Sequence, residues 1–206
     1  MNSIRHTLGK PVAALLLAIA LLAGTAAAAG TAKAGSTAKP WKITFYANGG
    51  YRSSDGKQTV EVNTNLGSTI HLLTGFVRPG FTFLGWSTDP HATTAQYAPN
   101  QRVTVGPSFL LSKLYAVWKP NLITITYKPG SGVTLGGHYG LTQTYTYGTT
   151  LVLHPPVCSK PGYSLVGWNT KPDGSGTMYH LHDTNIQFAY DTTLYAIWAK
   201  VVGYHH

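Results

Sequence analysis

From residue 43 onward the chain is built of short stretches in which apolar and polar residues alternate, the two-residue period of half-buried strands. Ile43-Thr44-Phe45-Tyr46 is β-branched and aromatic and predicts a first strand. Asn48-Gly49-Gly50 ends it with residues that accept positive φ, as a turn requires. Gln58 to Val62 alternates again and predicts a second strand, paired with the first as a hairpin. Pro79-Gly80 has the pattern of a type II turn, in which Pro presets φ and Gly takes the next position. Strict alternation beyond it would place Phe81, Phe83 and Gly85 on one strand face and Leu84 and Trp86 on the other. Gly85 is also a position where a bulge or a close backbone approach fits. Tyr97 to Asn100 is loop-like. Leu114, Ala116 and Trp118 alternate with Tyr115 and Val117, so both faces of this closing strand are apolar and it should lie centrally in its sheet. After the N-terminal leader no long segment keeps the helical period, so any helix should be short.

The pattern occurs twice. Arg78-Pro79-Gly80-Phe81-Thr82-Phe83-Leu84-Gly85-Trp86 returns as Lys160-Pro161-Gly162-Tyr163-Ser164-Leu165-Val166-Gly167-Trp168, displaced by 82 residues. Leu114-Tyr115-Ala116-Val117-Trp118 returns as Leu194-Tyr195-Ala196-Ile197-Trp198, displaced by 80. Ile43-Thr44-Phe45 matches Ile125-Thr126-Tyr127, and Gly67-Ser68-Thr69-Ile70 matches Gly148-Thr149-Thr150-Leu151. Four blocks in the same order define a duplicated unit of about 80 residues, large enough to be a small domain. The connection Lys119-Pro120-Asn121 is short, so the two units should sit end to end with limited freedom.

These blocks resemble the Listeria–Bacteroides repeat, also called the internalin B-repeat, over residues 43–118 and 125–198. The specific elements are the Gly-aromatic-x-aromatic-x-Gly-Trp run and the terminal Tyr-Ala-x-Trp. The second copy departs from the pattern: Lys128-Pro129-Gly130-Ser131-Gly132 replaces the Ala-Asn-Gly-Gly turn, Lys160 stands for Arg78, and Leu165 for Phe83. The resemblance implies β-grasp-like modules on secreted or envelope-attached bacterial proteins, with spacer, adhesion or signalling-enhancing roles and no catalytic residues to carry over. The expected fold is mainly β, α+β at most: two tandem small β-grasp-like sheet modules with little helix apart from the signal peptide. The expected boundaries are 1–29 signal peptide, 30–40 linker, 41–119 first module, 120–199 second module and 200–206 tail.

The leader carries the targeting signal. Arg5, His6 and Lys10 precede an apolar core from Val12 to Ala23, and Ala26 to Ala29 supplies small residues for cleavage near Ala29. This predicts export, to the medium or the cell envelope. An uncleaved anchor is the alternative, since the uncharged run from Val12 to Ala29 is 18 residues long. Once the leader is cleaved, no transmembrane span is expected. Leu22-Ala23-Gly24 begins a lipoprotein-type box, but Thr25 stands where the lipidated Cys must be, so no lipid anchor is expected.

Composition narrows the function. Charged residues are only 10% of the chain, with 15 Lys+Arg against 6 Asp+Glu, and the scarcity of carboxylates suits work in acid. The cations are scattered singly, which argues against specific nucleic-acid binding and leaves weak attraction to an anionic surface. The expected partners are a cell-wall polymer, a polysaccharide or a surface protein, and the oligomeric state is open. Cys158 is the only cysteine, so no intramolecular disulfide can form, and the thiol is expected to be buried beside Pro155-Pro156-Val157.

Catalytic and metal-binding candidates are few. Asp89 and Asp173 occupy equivalent loops after the Gly-Trp blocks, where Asp is a common turn residue; lying in different modules, they should not converge as an acid–base pair. His180-Leu181-His182-Asp183 is the best metal candidate, because alternate residues on a strand share a face, but no third and fourth ligands are evident. His154 is poorly spaced from Cys158 for ligation, and His205-His206 is a terminal pair. No catalytic residue, cofactor or metal site is therefore assigned. Trp86, Trp118, Trp168 and Trp198 recur in both units and are expected in the cores, with an exposed aromatic platform for sugars or peptides as the alternative. The sequence thus predicts a non-catalytic binding, adhesion or spacer protein. The runner-up is a self-assembling subunit of an extracellular layer or fibre, using free strand edges, and third comes an acid-tolerant accessory domain of a secreted enzyme.

Overall fold

The computed structural model describes residues 38–106, 112–137, 140–180 and 183–202. The leader, most of the linker, His182 and the His205-His206 pair lie outside them. In the first module the strands are β1 (Pro40–Tyr46), β2 (Tyr51–Arg52), β3 (Thr59–Asn65), β4 (Thr69–His71), β5 (Phe76–Val77), β6 (Phe81–Ser87), β7 (Arg102–Thr104) and β8 (Lys113–Pro120). The second has β9 (Leu122–Lys128), β10 (Thr134–Gly136), β11 (Thr142–Thr146), β12 (Val157–Ser159), β13 (Tyr163–Asn169), β14 (Met178–Tyr179) and β15 (Thr192–Lys200). The described residues contain no helix, so the mainly β expectation holds and the α+β margin is unused.

The main sheet of the first module has the order β3-β1-β8-β6, and that of the second β11-β9-β15-β13-β14. The first and last strands of each module run parallel, β1 with β8 and β9 with β15, and the other neighbours are antiparallel. The doubly apolar strand β8 is central, as its pattern requires. β1 and β3 pair from Tyr46↔Thr59 outward, with the short strand β2 inserted in the connection between them. Asn48 (φ 49°) and Gly49 (φ 89°) make the turn that ends β1.

Strict alternation fails at one point in each module, for a physical reason. β6 carries a bulge between Phe83 and Gly85, and β13 an equivalent one between Leu165 and Gly167. The extra residue shifts the parity, so Phe83 and Trp86 meet with ring centroids 5.2 Å apart instead of pointing to opposite faces. Gly85 is required there: a Cβ would lie 2.2 Å from the Tyr97 carbonyl oxygen, and the residue sits at φ 134°.

Each core is organised on a buried Trp. Trp86 is fully enclosed and meets Phe45, Phe76 and Phe83 edge-on at 4.8–5.2 Å, while its indole N–H donates to the Leu73 carbonyl at 2.8 Å. Trp168 is as deeply buried but meets Tyr127 at 5.0 Å, and its indole nitrogen has no hydrogen-bond partner among the described residues. The second core is lighter because Cys158 and Leu165 occupy the places of Phe76 and Phe83 in the duplication. Trp118 and Trp198 are half-buried; Trp118 packs against the first core, meeting Phe83 at 5.3 Å, and both residues do a second job. Their indole N–H groups donate at 2.9 Å to Ala47 and Pro129 carbonyls, pinning the turn after the first strand of each module. The second module keeps this contact although its turn sequence is different. Cys158 is half-buried on β12, packed against the second core, rather than fully enclosed.

Candidate functional site

One residue, Asn121, separates β8 from β9, and it is tied in three ways. Its backbone N–H donates to the Gly80 carbonyl (2.9 Å), its Oδ1 accepts from the Thr82 hydroxyl (2.6 Å), and its carbonyl accepts from the Tyr147 N–H (2.9 Å). Tyr147 then closes the joint. Its ring lies so close over Gly80 that a Cβ there would be 2.4 Å from the ring's Cγ and Cδ1, and it meets Phe81 edge-on at 5.3 Å. Gly80 is available for this contact because the type II turn places it at φ 79°, with the Phe81 N–H donating to the Arg78 carbonyl at 3.0 Å. At the far end of the second module the same backbone bond recurs, Val201 N–H to the Gly162 carbonyl at 2.9 Å, but among the described residues no atom lies within 4 Å of a Cβ built on Gly162.

The joint leaves an open cleft of about 950 Å³ between the modules. Leu84 and Lys119 line one wall, and Leu122, Thr146, Tyr190 and Asp191 line the other. Leu122 is 66% and Tyr190 68% exposed. Asp191 is held in place by Oδ1, which accepts from the Thr124 N–H at 2.8 Å.

Among the described residues, those singled out in the sequence make separate contacts. Asp89 and Asp173 each serve their own loop: Asp89 accepts from the His91 N–H (2.9 Å), and Asp173 from the Ser175 N–H (3.0 Å) and hydroxyl (2.8 Å). The Ser175 bonds hold the Asp173 carboxyl below the ordinary carboxylate range. The His180 N–H donates to Asp183 Oδ2 at 2.7 Å, with the ring Nδ1 3.7 Å from the same oxygen; His182 lies outside the described residues. The His154 N–H donates to Gln143 Oε1 (2.9 Å), and burial raises the Cys158 thiol above its ordinary pKa. No group of three or more His, Cys, Asp or Glu side chains gathers among the described residues. The residues that build the joint and its cleft, Asn121 and Tyr147 in the one and Tyr190 and Asp191 in the other, were not singled out as site candidates by sequence reasoning. The one available signal was the brevity of the connection at Asn121.

Fold and joint define a class: a tandem array of small mixed β-sheets sharing a one-residue connection. The chain belongs to the Listeria-Bacteroides repeat domain family, which matches residues 41–116 and 124–197, and this is a non-catalytic repeat family. Two proteins of Evansella cellulosilytica are similar to it. One, named "Putative membrane protein", is 29% identical over 161 residues, covering 78% of this chain and 23% of the relative. The other, named "Putative Gly-rich membrane protein", is 32% identical over 126 residues, covering 59% of this chain and 14% of the relative. The chain therefore spans less than a quarter of the length of either relative. Among the described residues no helix is long and apolar enough to cross a membrane.

Proposed function

We propose that this protein is a cell-surface or secreted repeat protein whose two modules act together as a non-catalytic spacer and binding element. The observation that carries this reading is the joint. Asn121 and Tyr147 fasten the second module onto the Gly80 turn of the first, and a spacer must hold a fixed direction to present anything away from a surface. Two similar proteins carry membrane-protein names, which supports a place at the envelope. The leader pattern supports export. The loops that hold Asp89 and Asp173 use both carboxylates as turn caps, which supports a non-catalytic role.

The test is fractionation of the producing cells, with N-terminal sequencing of the protein in each fraction and protease treatment of intact cells. Recovery in the medium or in protease-accessible form at the envelope supports the reading. Recovery only in the cytoplasm, protected from protease, refutes it.

A further inference from the structure

We propose that the cleft at the module joint binds a segment of a neutral polysaccharide, with Tyr190 as the surface on which a sugar ring stacks. This deepens the spacer-and-binding reading and rests on the joint being fixed, since the two walls of the cleft come from different modules.

Size and position come first. At about 950 Å³ the cleft lies at the upper end of the range for ligand sites, and such sites favour boundaries between domains. It is open to solvent, so a long chain can lie across it without an end having to enter.

The lining supplies the second argument. Trp86 and Trp168 are fully enclosed, and of the other large rings Tyr51 and Tyr163 are each 40% exposed. Tyr190, at 68% exposure, is the most exposed aromatic ring among the described residues, and it lines the cleft beside the 66% exposed Leu122. An amphipathic ring of this kind offers an apolar face and a hydroxyl together, which matches the C–H face and hydroxyl rim of a sugar. Around it stand short polar groups suited to hydroxyls: the Thr146 hydroxyl, the Asn121 side-chain amide, whose Oδ1 is already taken by Thr82, and the Asp191 carboxylate, whose Oδ1 is taken by Thr124.

Charge selects among polymers. The whole chain is strongly basic, at +9, which by itself would favour an acidic partner. The cleft does not share that excess, because it holds one cation, Lys119, and one carboxylate, Asp191. An acidic polymer would find no net attraction there, whereas a neutral one needs none.

The experiment is native affinity electrophoresis of the full chain in gels containing dextran, hydroxyethyl cellulose, soluble starch or alginate. The wild-type protein should be retarded by at least one of the three neutral polymers. Tyr190→Ala should weaken that retardation about tenfold, the equivalent of losing ~1.4 kcal/mol, while Tyr190→Phe should keep most of it. Tyr190 is exposed, so Tyr190→Ala should unfold at the wild-type midpoint, which the same samples can show. Retardation by no neutral polymer, retardation by alginate alone, or unchanged retardation of Tyr190→Ala overturns the proposal. None of those outcomes bears on where the protein is found in the cell, so the surface reading stands or falls separately by fractionation.

Discussion

Gly80→Ala and Gly162→Ala should have unequal effects, although the two glycines hold the same place in the same turn. Both sit at positive φ, 79° and 75°, so an Ala at either meets the same backbone penalty, about 1–2 kcal/mol. At Gly162 that is the whole cost expected, because among the described residues no atom lies within 4 Å of the new Cβ. At Gly80 the Cβ would fall 2.4 Å from Cγ and Cδ1 of Tyr147, atoms at the root of the ring that move only if the whole side chain swings away. The swing gives up the edge contact with Phe81, worth about 0.5–1.5 kcal/mol beyond area burial. It also exposes a half-buried ring, worth about 1 kcal/mol at half the value of a fully buried side chain. Gly80→Ala should therefore cost about 2 kcal/mol more than Gly162→Ala. Urea unfolding followed by Trp fluorescence measures both, together with Tyr147→Ala and the Gly80→Ala/Tyr147→Ala double variant. Once Tyr147 is gone the excess cost of Gly80→Ala should vanish, since residues in contact are not additive. Equal costs for the two glycines, or full additivity in the double variant, would refute the argument that Tyr147 on Gly80 locks the joint.

Three other outcomes follow from the cores. Trp86→Phe should cost about 1–2 kcal/mol more than Trp168→Phe in the same unfolding assay, because only Trp86 donates a hydrogen bond, to the Leu73 carbonyl. Tyr127 is enclosed, and burial pushes its phenol up to about 12, so it should be among the last tyrosines to ionise in a spectrophotometric titration. Because its pKa is raised by folding, the stability it contributes is complete below the unfolded value near 10 and is lost as pH rises from there to about 12. Unfolding midpoints should fall through that window, and less so in Tyr127→Phe. The Cys158 thiol, half-buried and with its pKa raised by burial, should alkylate with iodoacetamide at pH 8 much more slowly in the folded protein than in urea, and equal rates would contradict its packing against the second core.

Much of this fold was legible because the duplication prints each element twice. The apolar alternation of β8 predicted a central strand, and Pro79-Gly80 predicted its turn, from local chemistry alone. The face assignment in β6 failed because a bulge changes parity without changing the residues that flank it. Gly85 marked a place where one could occur, but only the register shift between Phe83 and Gly85 against β8 shows that it does. The candidate site was less legible, because Tyr147, Tyr190 and Asp191 are distant in sequence from Leu84 and Lys119 and carry no motif. They come together only because Asn121 bonds to Gly80 and Thr82 across the joint, a relation between modules that a repeat comparison within each cannot express. The Trp residues divide by neighbourhood too: Trp86 and Trp168 follow the bulges into the cores, whereas Trp118 and Trp198 sit at half-depth and reach the turn carbonyls.

The central claim, that the two modules are held as one body by the Asn121–Tyr147 joint, is tested most directly by backbone residual dipolar couplings on the full chain in a weakly aligning medium. A single alignment tensor should fit the strand amides of both modules. Two tensors of different magnitude or orientation, one for β1 to β8 and another for β9 to β15, would contradict it.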